Sequence, residues 1–220
     1  LLPHLLLALS DAAGPDRVLA NLERFAHSAG NPTELFQYLA HHPRAIEILV
    51  TLFAGSQFLA EILLRHPEYF QRLVEHKRLA QRKSTAQFQT DARAAIRPDE
   101  QIADQLDALR RFQRWELLRI GACDLLELFD LTSVTTQLSN LADSLLCVCL
   151  SLASIQSNRA SDGFAVIGMG KLGGRELNYS SDIDLLFLAQ ADAISYQRLG
   201  ERLIAILSDV TAEGFIYRVD

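Results

Sequence analysis

Positive charge is scarce in this chain. It holds 21 lysines and arginines against 27 aspartates and glutamates, a formal net charge of -6 with histidine neutral. Broad affinity for nucleic acid or for an anionic membrane surface needs the opposite balance, so neither is an expected partner. A local basic patch is still compatible with that total. Cysteine is scarcer still, with Cys123, Cys147 and Cys149 the full set. They show no metal-ligand spacing. Cys147 and Cys149 sit two apart in an apolar stretch with no histidine nearby, which reads as buried thiols on a core helix. Nothing demands an oxidising compartment, so the expected location is the cytoplasm. The longest run of apolar or small residues, 144–155, falls short of the ~20 residues a membrane span needs. No basic segment leads into an apolar stretch at the start, so no signal peptide is read there. The missing initiator Met, and an ending in mid-pattern at Asp220, lead us to expect a piece of a longer protein. The six histidines (His4, His27, His41, His42, His66, His76) fall among helix ends and turns and receive no catalytic or metal role.

What is present is an ordinary globular balance, 49% hydrophobic and 22% charged, in 220 residues. That length suits one or two domains with a true core. Residues 1–157 read as a helical region. Apolar residues recur three and four apart over 15–29, 32–41, 43–53, 57–65 and 67–77, and Pro32, Pro43 and Pro67 stand where a first helical turn tolerates them. A weak echo links Leu39-Ala-His-His-Pro-Arg to Leu63-Leu-Arg-His-Pro-Glu, 24 residues on. Two copies do not make a solenoid. Residues 78–98 are polar and read as a connection with one short helix; 99–120 and 131–157 read as long helices.

A polar stretch at 157–162 marks the expected domain boundary, dividing 1–157 from 158–220. After it the period changes. Residues 164–167 read as a buried strand, 173–177 as a short helix, 183–189 as a second strand, 194–210 as an amphipathic helix and 215–220 as an alternating third strand. This is the opening of an α/β domain, and the chain as a whole is expected to be α+β.

The chemistry concentrates in Gly168-Met-Gly-Lys-Leu-Gly-Gly-Arg-Glu-Leu-Asn-Tyr-Ser-Ser-Asp-Ile-Asp184. Asp182 and Asp184 lie two apart, so on a strand their side chains share a face. Two carboxylates ~4 Å apart repel by about 4 kcal/mol at an effective dielectric near 20. A divalent cation reverses that penalty, and Mg²⁺ favours a few carboxylates together with phosphate oxygens. Gly173 and Gly174, placed before the short helix, would let backbone N–H groups approach a phosphate, with Lys171, Arg175 and Arg218 adding positive charge. For each of these three cations an ordinary salt bridge is an equal reading. Asp220, two residues after Arg218, is a candidate third carboxylate. Alone, an Asp-x-Asp is usually a solvated strand end and a glycine pair a turn; the combination points to a phosphate-and-metal site.

Two other patterns were weighed. Gly168-Met-Gly170-Lys-Leu-Gly173 matches a dinucleotide-binding fingerprint, with Asp192 about where its ribose acid belongs. Asn178-Tyr-Ser-Ser181 ends the helix too early for that unit and leaves the paired aspartates without a task. A P-loop is excluded because Arg175 follows the glycine pair. On the helix at 99–120, Arg110, Arg111, Arg114 and Arg119 have acids near enough to pair (Asp107, Glu116, Asp124); ion pairing and partner docking both fit.

The run from Gly168 to Phe187 closely resembles the signature of the glutamate-ammonia ligase adenylyltransferase family. The resemblance extends back through Leu109-Arg-Arg-Phe-Gln-Arg-Trp-Glu-Leu-Leu-Arg-Ile120 and Asp124-Leu, and forward to Gly214-Phe-Ile-Tyr-Arg-Val-Asp220. It implies a truncated nucleotidyltransferase domain like that of DNA polymerase beta, following the helical region. By resemblance, Gly173 and Gly174 contact phosphate, while Asp182, Asp184 and Asp220 are the catalytic acids and hold Mg²⁺ or Mn²⁺. Enzymes of this family carry two such domains. One attaches AMP from ATP to a tyrosine of glutamine synthetase. The other removes it with orthophosphate, releasing ADP. Asn178 and Ser180 resemble the removing copy, and the long helical region before the motif fits the same choice; the adding copy is the alternative. Glutamine synthetase, a PII-type signal protein, nucleotide and phosphate are the partners the resemblance implies.

Overall fold

The computed structural model describes residues 1–190 and 193–220, with the backbone course alone for 193–195. Asp192, the acid of the dinucleotide reading, lies outside the described residues. The chain divides into two compact units: Leu1–Gln81 with Leu117–Asp130, and Arg82–Glu116 with Leu131–Asp220.

The first unit contains helices α1 (Leu2–Ser10), α2 (Pro15–Ser28), α3 (Pro32–His41), α4 (Pro43–Gly55), α5 (Gln57–Arg65) and α6 (Glu68–Glu75). Pro15, Pro32 and Pro43 open their helices, where no N–H is needed. Asn31 and Ser56 cap α3 and α5 by accepting from Glu34 N–H and Leu59 N–H. The core is aliphatic and aromatic: Phe25 meets Phe53 and Phe70 edge-on at 6.0 and 5.5 Å, with Val18, Leu49 and Leu63 buried around them.

The echo around the two His-Pro pairs has a local cause. His42 ends α3 at φ -128°, ψ 79°, and His66 ends α5 at φ -126°, ψ 69°. A residue before proline is pushed out of the α region, so each pair stops one helix and begins the next. The similarity belongs to two helix junctions. Pro67 stands just outside α6 rather than in its first turn.

The second unit begins with α7 (Thr85–Ala95), the short helix expected in the polar connection, closed by a capping box between Ser84 and Gln87. Helix α8 spans Ile102–Leu125, with its residues up to Glu116 in this unit and the rest in the first, and helix α9 spans Leu131–Ser157. Then come β1 (Phe164–Gly168), the single turn α10 (Gly170–Gly173), β2 (Leu185–Ala189) and α11 (Ala193–Ser208). Helix α9 is long and apolar enough by length and composition to cross a membrane, but most of that apolar stretch is buried in the unit, where α7 and α11 pack on the helix.

Strands β1 and β2 pair antiparallel, Phe164 opposite Ala189 through Gly168 opposite Leu185. An α/β domain opens with parallel strands, so this hairpin-like pairing corrects that part of the reading and fits the α+β class. It also removes the dinucleotide alternative, whose βαβ unit needs a parallel pair and a full crossover helix. On the inner face, Phe164 stacks with Phe187 at 5.5 Å and with Tyr196 at 5.7 Å.

One cysteine departs from expectation. Cys123 and Cys149 are buried, but Cys147 is exposed. Two residues on a helix are separated by about 200° of rotation, so this pair cannot share the buried face. Burial pushes the Cys149 thiol up to about 12. Cys147 is raised as well, by burial of its base and by the charge of Asp143. In the native fold at pH 8.5, therefore, a maleimide should modify Cys147 slowly and spare Cys123 and Cys149 until denaturant is added. Native labelling of Cys149 as fast as Cys147 would contradict this packing.

Candidate active site

The site begins with Ile183, a fully buried side chain. Its N–H donates to Arg218 O at 2.9 Å, and its carbonyl accepts from Asp220 N–H at 3.1 Å. Leu185 N–H donates to Asp220 O at 3.1 Å. These bonds make a short parallel bridge, Ile183 with Val219. On the other side, Met169 N–H donates to Asp184 O at 2.8 Å. The expected third strand is therefore present as this bridge at 219, beside the chain leading into β2.

Its alternation is interrupted. Ile216 and Tyr217 are both buried, because both N–H groups bond to Leu207 O across a bend at 216. The regular two-residue period expected over 215–220 holds only at its end.

Burying Ile183 sends Asp182 and Asp184 to the opposite face. The parallel register sets Asp182 beside Arg218 and Asp184 beside Asp220. The first pair is bonded, Arg218 Nε to Asp182 Oδ1 at 2.5 Å. Asp184 and Asp220 are exposed. Asp184 rests against Gly170, which has φ +51°; a Cβ there would lie 2.1 Å from Asp184 Oδ2. Gly170, a glycine of the dinucleotide-like pattern, leaves the space that the second acid occupies. Among the described residues, no three His, Cys, Asp or Glu side chains converge closely enough to cage a metal ion. As a donor set, three carboxylates on neighbouring backbone positions suit a hard divalent cation in kind.

The glycine pair sits differently from expectation. The helical turn is Gly170–Gly173, not 173–177, and Gly174 caps its C-terminus. Gly173 N–H donates to Met169 O at 2.9 Å and Gly174 N–H to Gly170 O at 3.0 Å. The N–H groups that begin this turn belong to Gly170, Lys171 and Leu172. Gly173 has a steric reason to be glycine, since a Cβ would lie 2.6 Å from Gly168 O. Gly174 has none of this kind, with φ -76° and only ordinary contacts around its missing Cβ. Lys171 is exposed on the turn. Arg175 has φ +59°, which ends the turn, and its guanidinium bonds to Asn140 Oδ1 of α9 at 2.5 Å. The Asn178 carboxamide organises the rest of the loop, accepting from Ser180 N–H and Ser181 Oγ.

The arginines of α8 are structural ties. Arg110 is buried and donates to Asp107 and Asp209 O, each at 3.0 Å. Arg111 pairs with Glu213, Arg114 donates to Phe215 O, and Gln113 donates to Ile216 O. Thr211 Oγ1 donates to Asp107 at 2.8 Å. One face of α8 thus holds residues 209–216, the segment that delivers Arg218 and Asp220. In the first unit Arg119 donates to Leu79 O and Gln81 O.

With this geometry in place, comparison with known proteins identifies the class. The family model for glutamate-ammonia ligase adenylyltransferase matches residues 46–220. A curated relative, the bifunctional glutamine synthetase adenylyltransferase/adenylyl-removing enzyme of Thioalkalivibrio sulfidiphilus (strain HL-EbGR7), is 30% identical over 249 aligned positions. That alignment covers 100% of this chain and 26% of the relative, so the chain spans about a quarter of the relative's length. The chain belongs to the glutamate-ammonia ligase adenylyltransferase family.

Two predictions follow from the local packing. Gly173→Ala should lower stability by about 1–3 kcal/mol, because its Cβ meets backbone that has no room to yield. Gly174→Ala should stay within about 0.5 kcal/mol of the parent. Urea denaturation of both variants checks this, and equal losses would contradict the placement of the turn.

The second concerns Asp143, half-buried on α9. Burial raises its carboxyl above the usual range, and Arg175 partly offsets the rise. An acid whose folded pKa is raised costs native stability once it ionises. The Asp143→Asn variant should therefore match the parent below about pH 3.9. Above that, it should gain a stability advantage as pH rises through the folded pKa. An advantage that does not change between pH 3.5 and 7 would contradict this.

Proposed function

We propose that this chain carries the adenylyl-removing centre of a glutamine synthetase adenylyltransferase. It would act in the cytoplasm on adenylylated glutamine synthetase, releasing ADP and leaving the synthetase tyrosine unmodified. The observation that carries the reading is the register at Ile183, which aligns Asp182 and Asp184 on one face and Asp220 beside the second of them. Family membership and the relative's printed double activity support it. Asn178 and Ser180, the loop residues that resemble the removing copy, favour it over the ATP-dependent adding reaction.

In this reaction an oxygen of orthophosphate forms a bond to the AMP phosphorus, and the bond from that phosphorus to the tyrosine oxygen breaks in line. The proton that orthophosphate carries ends on the tyrosine oxygen, so no separate base is assigned. Asp182, Asp184 and Asp220 would hold Mg²⁺ or Mn²⁺, which supplies charge neutralisation for the phosphoryl oxygens and orients them. The exposed turn would receive phosphate through Lys171 and the N–H groups that begin it, those of Gly170, Lys171 and Leu172, because the Gly173 and Gly174 N–H groups are bonded within the turn. Arg218 would exchange its bond to Asp182 for a phosphate oxygen as substrate enters. Regulation by a PII-type signal protein is part of the same reading.

The test uses an extended chain with adenylylated glutamine synthetase, orthophosphate and Mg²⁺. ADP should form, and Asp182→Asn should abolish it while the fold survives. Unchanged turnover in that variant would end the assignment of the acids. AMP transferred from ATP to unmodified synthetase, without ADP formation, would favour the adding centre. Mg²⁺ at 100 times its dissociation constant should also stabilise the fold by roughly 2.7 kcal/mol, read as a rise in Tm that is lost in Asp184→Asn. A Tm indifferent to Mg²⁺ would count against the acid cluster.

A further inference from the structure

Arg175 presents a contradiction that its surroundings resolve. It adopts φ +59°, a conformation that side chains other than glycine rarely take, directly after two glycines that could have absorbed it. Its guanidinium donates to Asn140 Oδ1 at 2.5 Å. Asn140 is itself nearly buried and fixed by other bonds: its Nδ2 donates to Lys83 O at 3.0 Å, and its Oδ1 also accepts from Thr85 Oγ1 at 3.2 Å. One position earlier on α9, Ser139 Oγ accepts from Leu177 N–H at 3.4 Å, and the Leu177 side chain is buried. One turn later, Asp143 feels the positive charge of Arg175. The loop that joins the glycine turn to Asp182 is thus held to α9 at 175 and 177. In this arrangement Arg175 Nη2 is engaged by Asn140, although the residue stays exposed.

We propose that Asn140 is a positioning residue, which clamps Arg175 and through it sets the glycine turn against the acids. This deepens the phosphorolysis reading and rests on it. Arg175 then acts as a strut, not as a phosphate ligand. The Asn140 amide does two separable things. Its oxygen holds Arg175, and its nitrogen holds Lys83 O. An aspartate keeps the first and loses the second.

The experiment measures ADP formation by the full-length enzyme with adenylylated glutamine synthetase, varying orthophosphate. Asn140→Ala and Arg175→Ala should each raise KM for orthophosphate and lower kcat/KM by on the order of tenfold. The double variant should fall no further than the worse single one, because both changes break the same contact. Asn140→Asp should keep kcat/KM within about threefold of the parent while lowering the urea midpoint as Asn140→Ala does. Losses that multiply in the double variant would make Arg175 a ligand in its own right and overturn the proposal. So would an Asn140→Asp enzyme as impaired as Asn140→Ala. If the parent makes no ADP, the phosphorolysis reading fails first, and amide hydrogen exchange over residues 173–181 then judges the clamp alone. Exchange should accelerate in Asn140→Ala and Arg175→Ala and stay at the parent rate in Asn140→Asp. Equal exchange in all of them would overturn it.

Discussion

The burial of Ile183 fixes where the acids of this chain can go. Its side chain is fully enclosed, and its own N–H and carbonyl are both committed to the segment 218–220. A strand has only two faces, so enclosing Ile183 turns Asp182 and Asp184 outward together. The same backbone bonds draw Asp220 alongside. Arg218 pairs with the first of these acids, Asp182. The other two, Asp184 and Asp220, are exposed.

The helices of the second unit act as a frame for that arrangement. Helix α8 holds residues 209–216 through Arg110, Arg111, Gln113 and Arg114, and so delivers the strand end that bears Asp220. Helix α9 holds the loop at 175 and 177. Arg110, Gln113 and Arg114 on α8 and Ser139 on α9 bond to main chain, which fixes backbone position, while Arg111 and Asn140 bond to side chains. Buried arginines cost desolvation, and Arg110 and Arg119 offset part of it through carbonyls and a carboxylate. Within each unit the arginines of α8 make internal ties, the ion-pairing reading.

Much of the helical pattern could be read from the sequence. The bounds of α3, α5 and α9 fall where the apolar period and the prolines put them. The pairing sense of β1 and β2 could not, because an apolar run of five residues looks the same in either direction. The short turn was misplaced by three residues, since the Gly-Gly pair suggested a helix start, whereas Gly170 with φ +51° begins it and Gly174 ends it. The acids at 182 and 184 were legible from their spacing. The place of Asp220 rested on a strand that alternates only at its end. The bonds of Asn140 and Ser139 to the loop were not legible, because α9 carries many other polar residues, such as Gln137 and Ser144, and nothing local says which of them meets the loop.

The central claim is that orthophosphate attacks the AMP phosphorus at these acids. The most direct measurement uses orthophosphate labelled with ¹⁸O at all four oxygens, adenylylated glutamine synthetase and the full-length enzyme, with the product read by ³¹P NMR and mass spectrometry. The account predicts ADP that retains four ¹⁸O atoms, three terminal on the β-phosphorus and one in the bridge. Unlabelled AMP would mean that water is the nucleophile, and would contradict it.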